Sequence, residues 1–159
     1  MKLWMRILLV VLVVEILGGL GAVTMGGSLS EWYPALRKPP GTPPNWLFGP
    51  VWTLLYLMMG AAGALVWHRH VAWPEAATAR GLRWFAIQLA LNVAWTPVFF
   101  GLQRLGPGLI VIAALWVAIV LTIRTFAGIH RIAAALLVPY LVWVSYATYL
   151  NAGLWWLNR

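Results

Sequence analysis

The amino-acid sequence predicts an all-α integral membrane protein, a bundle of five transmembrane helices with a long, structured, proline-rich first loop. Three observations carry that prediction. Of 159 residues, 63% are hydrophobic and only 9% are charged, whereas soluble domains carry about 25% charged residues to solvate their surfaces. Mean hydropathy is +0.85. The charged residues also fall between five apolar stretches, each long enough to supply the roughly 20 helical residues that cross a hydrocarbon core. Barrel strands would be about ten residues long with alternating polarity, and nothing here alternates. Disorder is excluded, since it needs polar chains poor in aromatics. There is no cysteine, which rules out a disulfide scaffold, a CxxC redox site and a Cys-ligated metal. A net charge of +8 would suit nucleic acid, but the basic residues stand singly between apolar stretches, as lipid-headgroup anchors do. The expected partner is the bilayer, not nucleic acid.

Residues 1–159 read as a single membrane domain with spans at about 5–26, 46–67, 82–103, 105–125 and 131–156. The first is apolar from Ile7 to Met25 apart from Glu15 and Thr24. Lys2 and Arg6 before it, and Gly18-Gly19-Leu20-Gly21-Ala22 at its end, imitate a cleavable signal peptide. Glu15 and the apolar run on to Met25 argue for a retained helix. Loop 27–45 collects Pro34, Pro39, Pro40, Gly41, Pro43 and Pro44. Within it, Ser30-Glu31-Trp32-Tyr33 reads as the start of a short interfacial helix with Ser28 or Ser30 as N-cap. The proline pairs then impose an extended return path. So long a structured loop in so small a protein is expected to act as a lid. Trp46 to Trp67, Trp84 to Gln103, Leu105 to Ile123 and Ile132 to Asn158 carry no charge. Arg104 to Pro107 leaves room only for a tight turn. Five spans put seven Lys/Arg residues on the N-terminal side (Lys2, Arg6, Arg69, Arg80, Arg83, Arg124, Arg131) and four on the other (Arg37, Lys38, Arg104, Arg159), a vote for a cytoplasmic N-terminus.

Twelve tryptophans need a physical reason. Trp4, Trp32, Trp46, Trp67, Trp73, Trp84, Trp155 and Trp156 lie near span ends or in loops, where aromatic belts sit. Trp95, Trp116 and Trp143 fall near mid-helix, and Trp52 about a turn and a half inside. Packing accounts for any one of them; several together, at the depth of polar groups, favour an aromatic-walled cavity. Those polar groups are Gln88, Asn92 and Thr96, spaced by four and so on one helical face, with Ser145 and Thr148 in the last span. Trp143 and Ala147 share a face, with Tyr140 one turn earlier. Pro97 and Pro139 each free a carbonyl, at Val93 and Ala135, and predict kinks. A pocket between spans two, three and five follows, suited to flat apolar ligands with few polar handles. Gly18, Ala22 and Gly26, like Ala86, Ala90 and Ala94, are spaced by four, so that helices can approach closely within a chain or across a homodimer. Glu15 is the one ionisable residue deep in a span and therefore a functional candidate. His68, His70 and His130 stand at span ends, where haem ligation is an alternative to ordinary interfacial placement.

Several segments together resemble one family. They are Leu36-Arg37-Lys38-Pro39, Pro43-Pro44-Asn45-Trp46, Gly49-Pro50-Val51-Trp52-Thr53-Leu54-Leu55-Tyr56, Leu91-Asn92-Val93-Ala94-Trp95-Thr96-Pro97-Val98-Phe99-Phe100-Gly101, Pro139-Tyr140-Leu141-Val142-Trp143 and Ala147-Thr148-Tyr149-Leu150-Asn151. In order and spacing from about Trp32 to Asn151 they resemble the translocator protein/tryptophan-rich sensory protein (TspO/MBR) family. The resemblance implies a five-helix bundle, often dimeric, in bacterial envelopes or the mitochondrial outer membrane; a bacterial cell envelope is the expectation here. It implies binding of porphyrins such as protoporphyrin IX and haem, and of hydrophobic drugs or sterols, with no obligatory cofactor and no metal site. It places ligand contacts at Trp52, Tyr56, Asn92, Trp95, Trp143 and Ala147 beneath the loop, to which Trp46, Pro43 and Pro44 are added. Trp52 and Trp143 match the tryptophans tied to light-dependent porphyrin degradation. Two departures stand out. Gly41 occupies the place of a loop tryptophan, and Ala152 follows Leu150-Asn151 where the animal sterol motif needs tyrosine. Two other functions compete with porphyrin sensing or transport. One is photo-oxidation of bound porphyrin, since no acid–base pair or metal cluster supports ordinary catalysis. The other is solute or proton transport through Glu15.

Overall fold

A computed structural model of the chain describes residues 1–72 and 75–159; Trp73, expected in the aromatic belt, lies outside them. The helices are α1 (Leu3–Val23), α2 (Trp32–Ala35), α3 (Phe48–Ala72), α4 (Ala76–Thr96), α5 (Leu105–Ile129), α6 (Arg131–Leu136) and α7 (Val138–Leu157). Short 3₁₀ turns at Gly26–Leu29 and Asn45–Leu47 and a π turn at Pro97–Gly101 complete the order. Five segments are long and apolar enough to cross a bilayer: Leu3–Val23, Asn45–Ala72, Ala76–Gly101, Leu105–Ile129 and Arg131–Leu157. The chain is a multi-pass membrane protein.

Polar chemistry at the ends shifts several boundaries from those expected. The third span starts at Ala76, not near residue 82, because Glu75 and Thr78 form a reciprocal capping box that supplies otherwise orphaned amides. The second runs on to Ala72, with Arg69 in its last turn, where a cation complements the helix dipole. The first ends at Val23; Thr24 closes it through its hydroxyl on the Gly21 carbonyl at 2.6 Å. Both prolines act as expected, but differently. At Pro97 the α-helix gives way to the π turn, whereas Pro139 sits in the first turn of α7 just after a break at Leu137 between α6 and α7.

Helix α1 lies along α3, α4 along α5, and α5 along α7, while α6 tucks against α3 and α5. Met59, Ile112, Ile119, Phe126 and Leu137 fill the interior, and Leu8, Leu12, Ile16, Ile110 and Val142 face outward. Apolar residues inside and out are what a lipid solvent demands, and they explain why no amphipathic stripe was legible. At the α1–α3 contact, a Cβ on Gly60 would stand 2.5 Å from the Val11 Cα, so the glycine sets the helix separation. The small-residue faces divide. Gly18 is buried against the Tyr56 ring of its own chain, and Gly26 lies beyond α1 in a turn at φ +49°. Ala86, Ala90 and Ala94 are exposed along α4.

Candidate functional site

The site begins with helical spacing. Phe48, Trp52 and Tyr56 recur every four residues on α3 and so line one face. Opposite stands α1, whose Gly18, Gly19 and Ala22 contribute almost no side-chain volume. The gap left between large and small faces is a cavity of about 280 Å³, at the small end of ligand pockets, which run from roughly 300 to 1,000 Å³. Trp95, Thr96 and Phe100 wall it from the α4 side, Trp143 and Ala147 from α7, and Met25, Leu29 and Asn45 from the loop. The wall residues Gly19, Ala22, Gly49 and Thr53 are exposed, and a Cβ on Gly19 or Gly49 would meet nothing within 4 Å. The mouth therefore opens sideways between two membrane-crossing helices, α1 and α3.

The rings are fixed by one another and by a polar layer beneath. Trp52 stacks on Tyr56 at 5.4 Å and meets Tyr140 edge-on at 6.3 Å. Trp143 is edge-on to Phe48 at 6.2 Å. Trp95 stacks on Phe99 at 5.0 Å, and its indole N–H donates to Asn151 Oδ1 at 3.3 Å. Below the rings, the Tyr56 hydroxyl donates to Asn92 Oδ1 at 3.0 Å, while Asn92 Nδ2 donates to the Tyr140 hydroxyl at 2.9 Å. One amide thereby ties α3, α4 and α7 together with all three side chains out of solvent. The ring of Tyr56 occupies the space a Cβ on Gly18 would need, so the smallest residue at position 18 lets the floor of the cavity lie flat.

The proline-rich loop covers one end of the cavity and is strapped to α7. Arg37 and Asn158 form a reciprocal pair, backbone N–H to Oδ1 at 3.0 Å and Nδ2 to the Arg37 carbonyl at 2.9 Å. The Tyr149 hydroxyl donates to the Pro40 carbonyl at 3.0 Å, and the Tyr146 hydroxyl to that of Gly41. Gly41 has φ +81°, a conformation that costs a side-chain-bearing residue strain. Trp32 and Tyr33 on α2 root the loop's other half among Phe99 and Phe100. Burial, and secondarily Tyr146, pushes the Tyr33 phenol up to about 12, so it stays neutral under Lys38, whose ammonium lies 5.1 Å from its ring.

Several expected site residues lie elsewhere. Trp52, Tyr56, Trp95, Trp143 and Ala147 line the cavity, but Asn92 sits beneath it as a strut. Trp46 is 71% exposed in the 3₁₀ turn at Asn45–Leu47, and neither it nor Pro43 or Pro44, in the extended stretch before that turn, reaches the wall. Trp116 is 39% exposed on the outer face, with its N–H on Ser145 Oγ at 2.8 Å. Ser145 and Thr148 themselves bond the Leu141 and Val144 carbonyls one turn back. Gln88 and Thr96 are buried with Asn92, but only Thr96 reaches the cavity. The serines do not cap α2: Glu31 holds the N-cap position, and Ser30 donates to the Gly27 carbonyl. His68, His70 and His130 lie away from the cavity; the His68 carbonyl accepts from Arg6, His70 meets Thr78, and His130 caps α6.

Span one is the wall that sequence reasoning missed, together with Phe48 and Phe100. The Phe48-Trp52-Tyr56 spacing was the available signal for Phe48. Glycines and alanines in α1 read as a packing stripe, and only the structure distinguishes a stripe that is filled from one that is hollow.

Comparison with known proteins gives a family match and a set of relatives. The family model described as TspO/MBR family matches residues 7–157. The chain is similar to the tryptophan-rich protein TspO of Chlorobaculum tepidum, 48% identical over 129 residues, covering 81% of this chain and 80% of that one. It is similar to protein CrtK of Rhodobacter capsulatus, 38% identical over 141 residues, covering 89% and 85%. The human translocator protein is 38% identical over 135 residues, covering 85% and 79%.

Proposed function

This chain belongs to the TspO/MBR family, and from that premise we propose that it is a membrane sensor or transporter binding porphyrins, protoporphyrin IX and haem among them, and other flat hydrophobic ligands. The site is the cavity between α1, α3, α4 and α7, and the membrane is that of a bacterial cell envelope, in keeping with bacterial relatives. One observation carries the reading: a void between membrane-crossing helices lined by Trp52, Trp143, Phe48 and Trp95. Aromatic contacts contribute about 0.5–1.5 kcal/mol each beyond area burial. Replacing Trp52 and Trp143 together by alanine is therefore expected to weaken protoporphyrin IX binding about tenfold or more, read from porphyrin absorbance in nanodiscs. Trp116→Phe, on the outer face, is the matched control. Equal affinity in the double variant and the parent would refute the pocket.

The loop acts as a lid on the same reading. Its straps to α7 are two phenol–carbonyl bonds and the Arg37–Asn158 pair. Tyr146→Phe with Tyr149→Phe removes both phenol bonds and keeps both rings. Porphyrin is expected to leave the double variant several-fold faster in a stopped-flow chase; an unchanged off-rate would mean that the loop is no barrier to release.

A further inference from the structure

Glu15 stands in the cavity wall, and its carboxylate Oε1 is buried with no hydrogen-bond partner among the described residues. Four of the wall's donors are engaged elsewhere, and none of the others, the Thr96 hydroxyl and the Trp52 and Trp143 indoles, reaches Oε1 within hydrogen-bond distance. The Tyr56 hydroxyl donates to Asn92, the Thr53 hydroxyl to the Gly49 carbonyl at 3.1 Å, the Asn45 amide to the Leu29 carbonyl at 3.2 Å, and the Trp95 indole to Asn151. Among the described residues, no Lys, Arg or His lines the cavity. Among the described residues Glu15 is thus the one formal charge in a largely apolar and aromatic wall that also holds Asn45, Thr53 and Thr96, about two turns inside the C-terminal end of a membrane-crossing helix. A carboxylate at that depth is costly without a partner, and among the described residues Oε1 has none.

We propose that the guest supplies it: the cavity selects aromatic ligands that carry a protonated amine, whose N–H donates to Glu15 while the ring lies against Trp52. The proposal rests on the reading of the cavity as a ligand site. The protein's overall charge of +8 disfavours cations at long range, so any preference for a cationic guest must come from a local carboxylate.

The experiment uses two probes of one shape, 9-(aminomethyl)anthracene and its neutral N-acetyl derivative, in nanodiscs of zwitterionic phosphatidylcholine. Tryptophan-to-anthracene energy transfer reports binding, and partition into empty nanodiscs is subtracted. The parent protein is expected to bind the amine about tenfold more tightly than the amide, the scale of one charge-assisted hydrogen bond. Glu15→Gln, isosteric and uncharged, is expected to bring that ratio to about one, and Glu15→Asp to keep part of it. A ratio near one in the parent, or a tenfold ratio that survives in Glu15→Gln, overturns the assignment of Glu15 and leaves the pocket reading standing. Failure of both probes to bind the parent overturns the two together.

Discussion

Gly60→Val is expected to unseat α1 from α3, and with it to abolish guest binding. The Cβ it adds would stand 2.5 Å from the Val11 Cα and 2.9 Å from the Val11 nitrogen. Those are backbone atoms, so no rotamer change relieves the contact and the two helices must separate. Overpacking that side chains can absorb costs about 1–3 kcal/mol; here about 3 kcal/mol or more is expected, because an entire helix face loses its contacts. Reversible unfolding in mixed micelles would measure it. Gly128→Ala is the control, since a Cβ there meets nothing within 4 Å. Binding fails for a geometric reason: α1 carries Glu15, Gly18, Gly19 and Ala22 of the cavity wall. Stability within 0.5 kcal/mol of the parent would show that α1 is far less tightly held than the close contact implies.

Asn92→Leu is the second large effect. Leucine matches asparagine in bulk, but it leaves the hydroxyls of Tyr56 and Tyr140 without the amide that bridges them. Tyr140 is 0% exposed, so water cannot take over. Interhelical hydrogen bonds in membranes average only about 0.6 kcal/mol, because the separated helices find other partners. A buried group left unpaired costs about 1–3 kcal/mol. The second figure governs two buried phenols, and about 2–4 kcal/mol is expected in all. A cycle with Tyr56→Phe separates the terms. If the bridge is the cause, the double variant is less destabilised than the two single losses summed, by about 1 kcal/mol. Strict additivity would mean that leucine merely packs badly.

How much of this was legible in the sequence depends on the range of the interaction. The five crossings follow from charge-free runs, and the break before α7 from Pro139, because both are local. The aromatic depth of Trp52, Trp95 and Trp143 pointed to a cavity for the same reason. Trp116 shows the limit, since a mid-helix indole can also face lipid when a neighbouring helix offers an acceptor such as Ser145. Asn92 looked like a ligand contact and is a strut, a difference that rests on two tyrosines 36 and 48 residues away. The loop's hold on α7 joins partners more than 100 residues apart, and no spacing rule anticipates it.

The sideways mouth between α1 and α3 has a consequence for how affinity is measured. On the proposed reading, a guest arriving through Gly19, Ala22 and Gly49 enters from the lipid beside two span ends, so the quantity that drives occupancy is its mole fraction in lipid, not its molarity in buffer. Titrations at different lipid-to-protein ratios should collapse onto one curve only when plotted on that two-dimensional scale. An oilier compound will then look more potent in water without touching the protein any better.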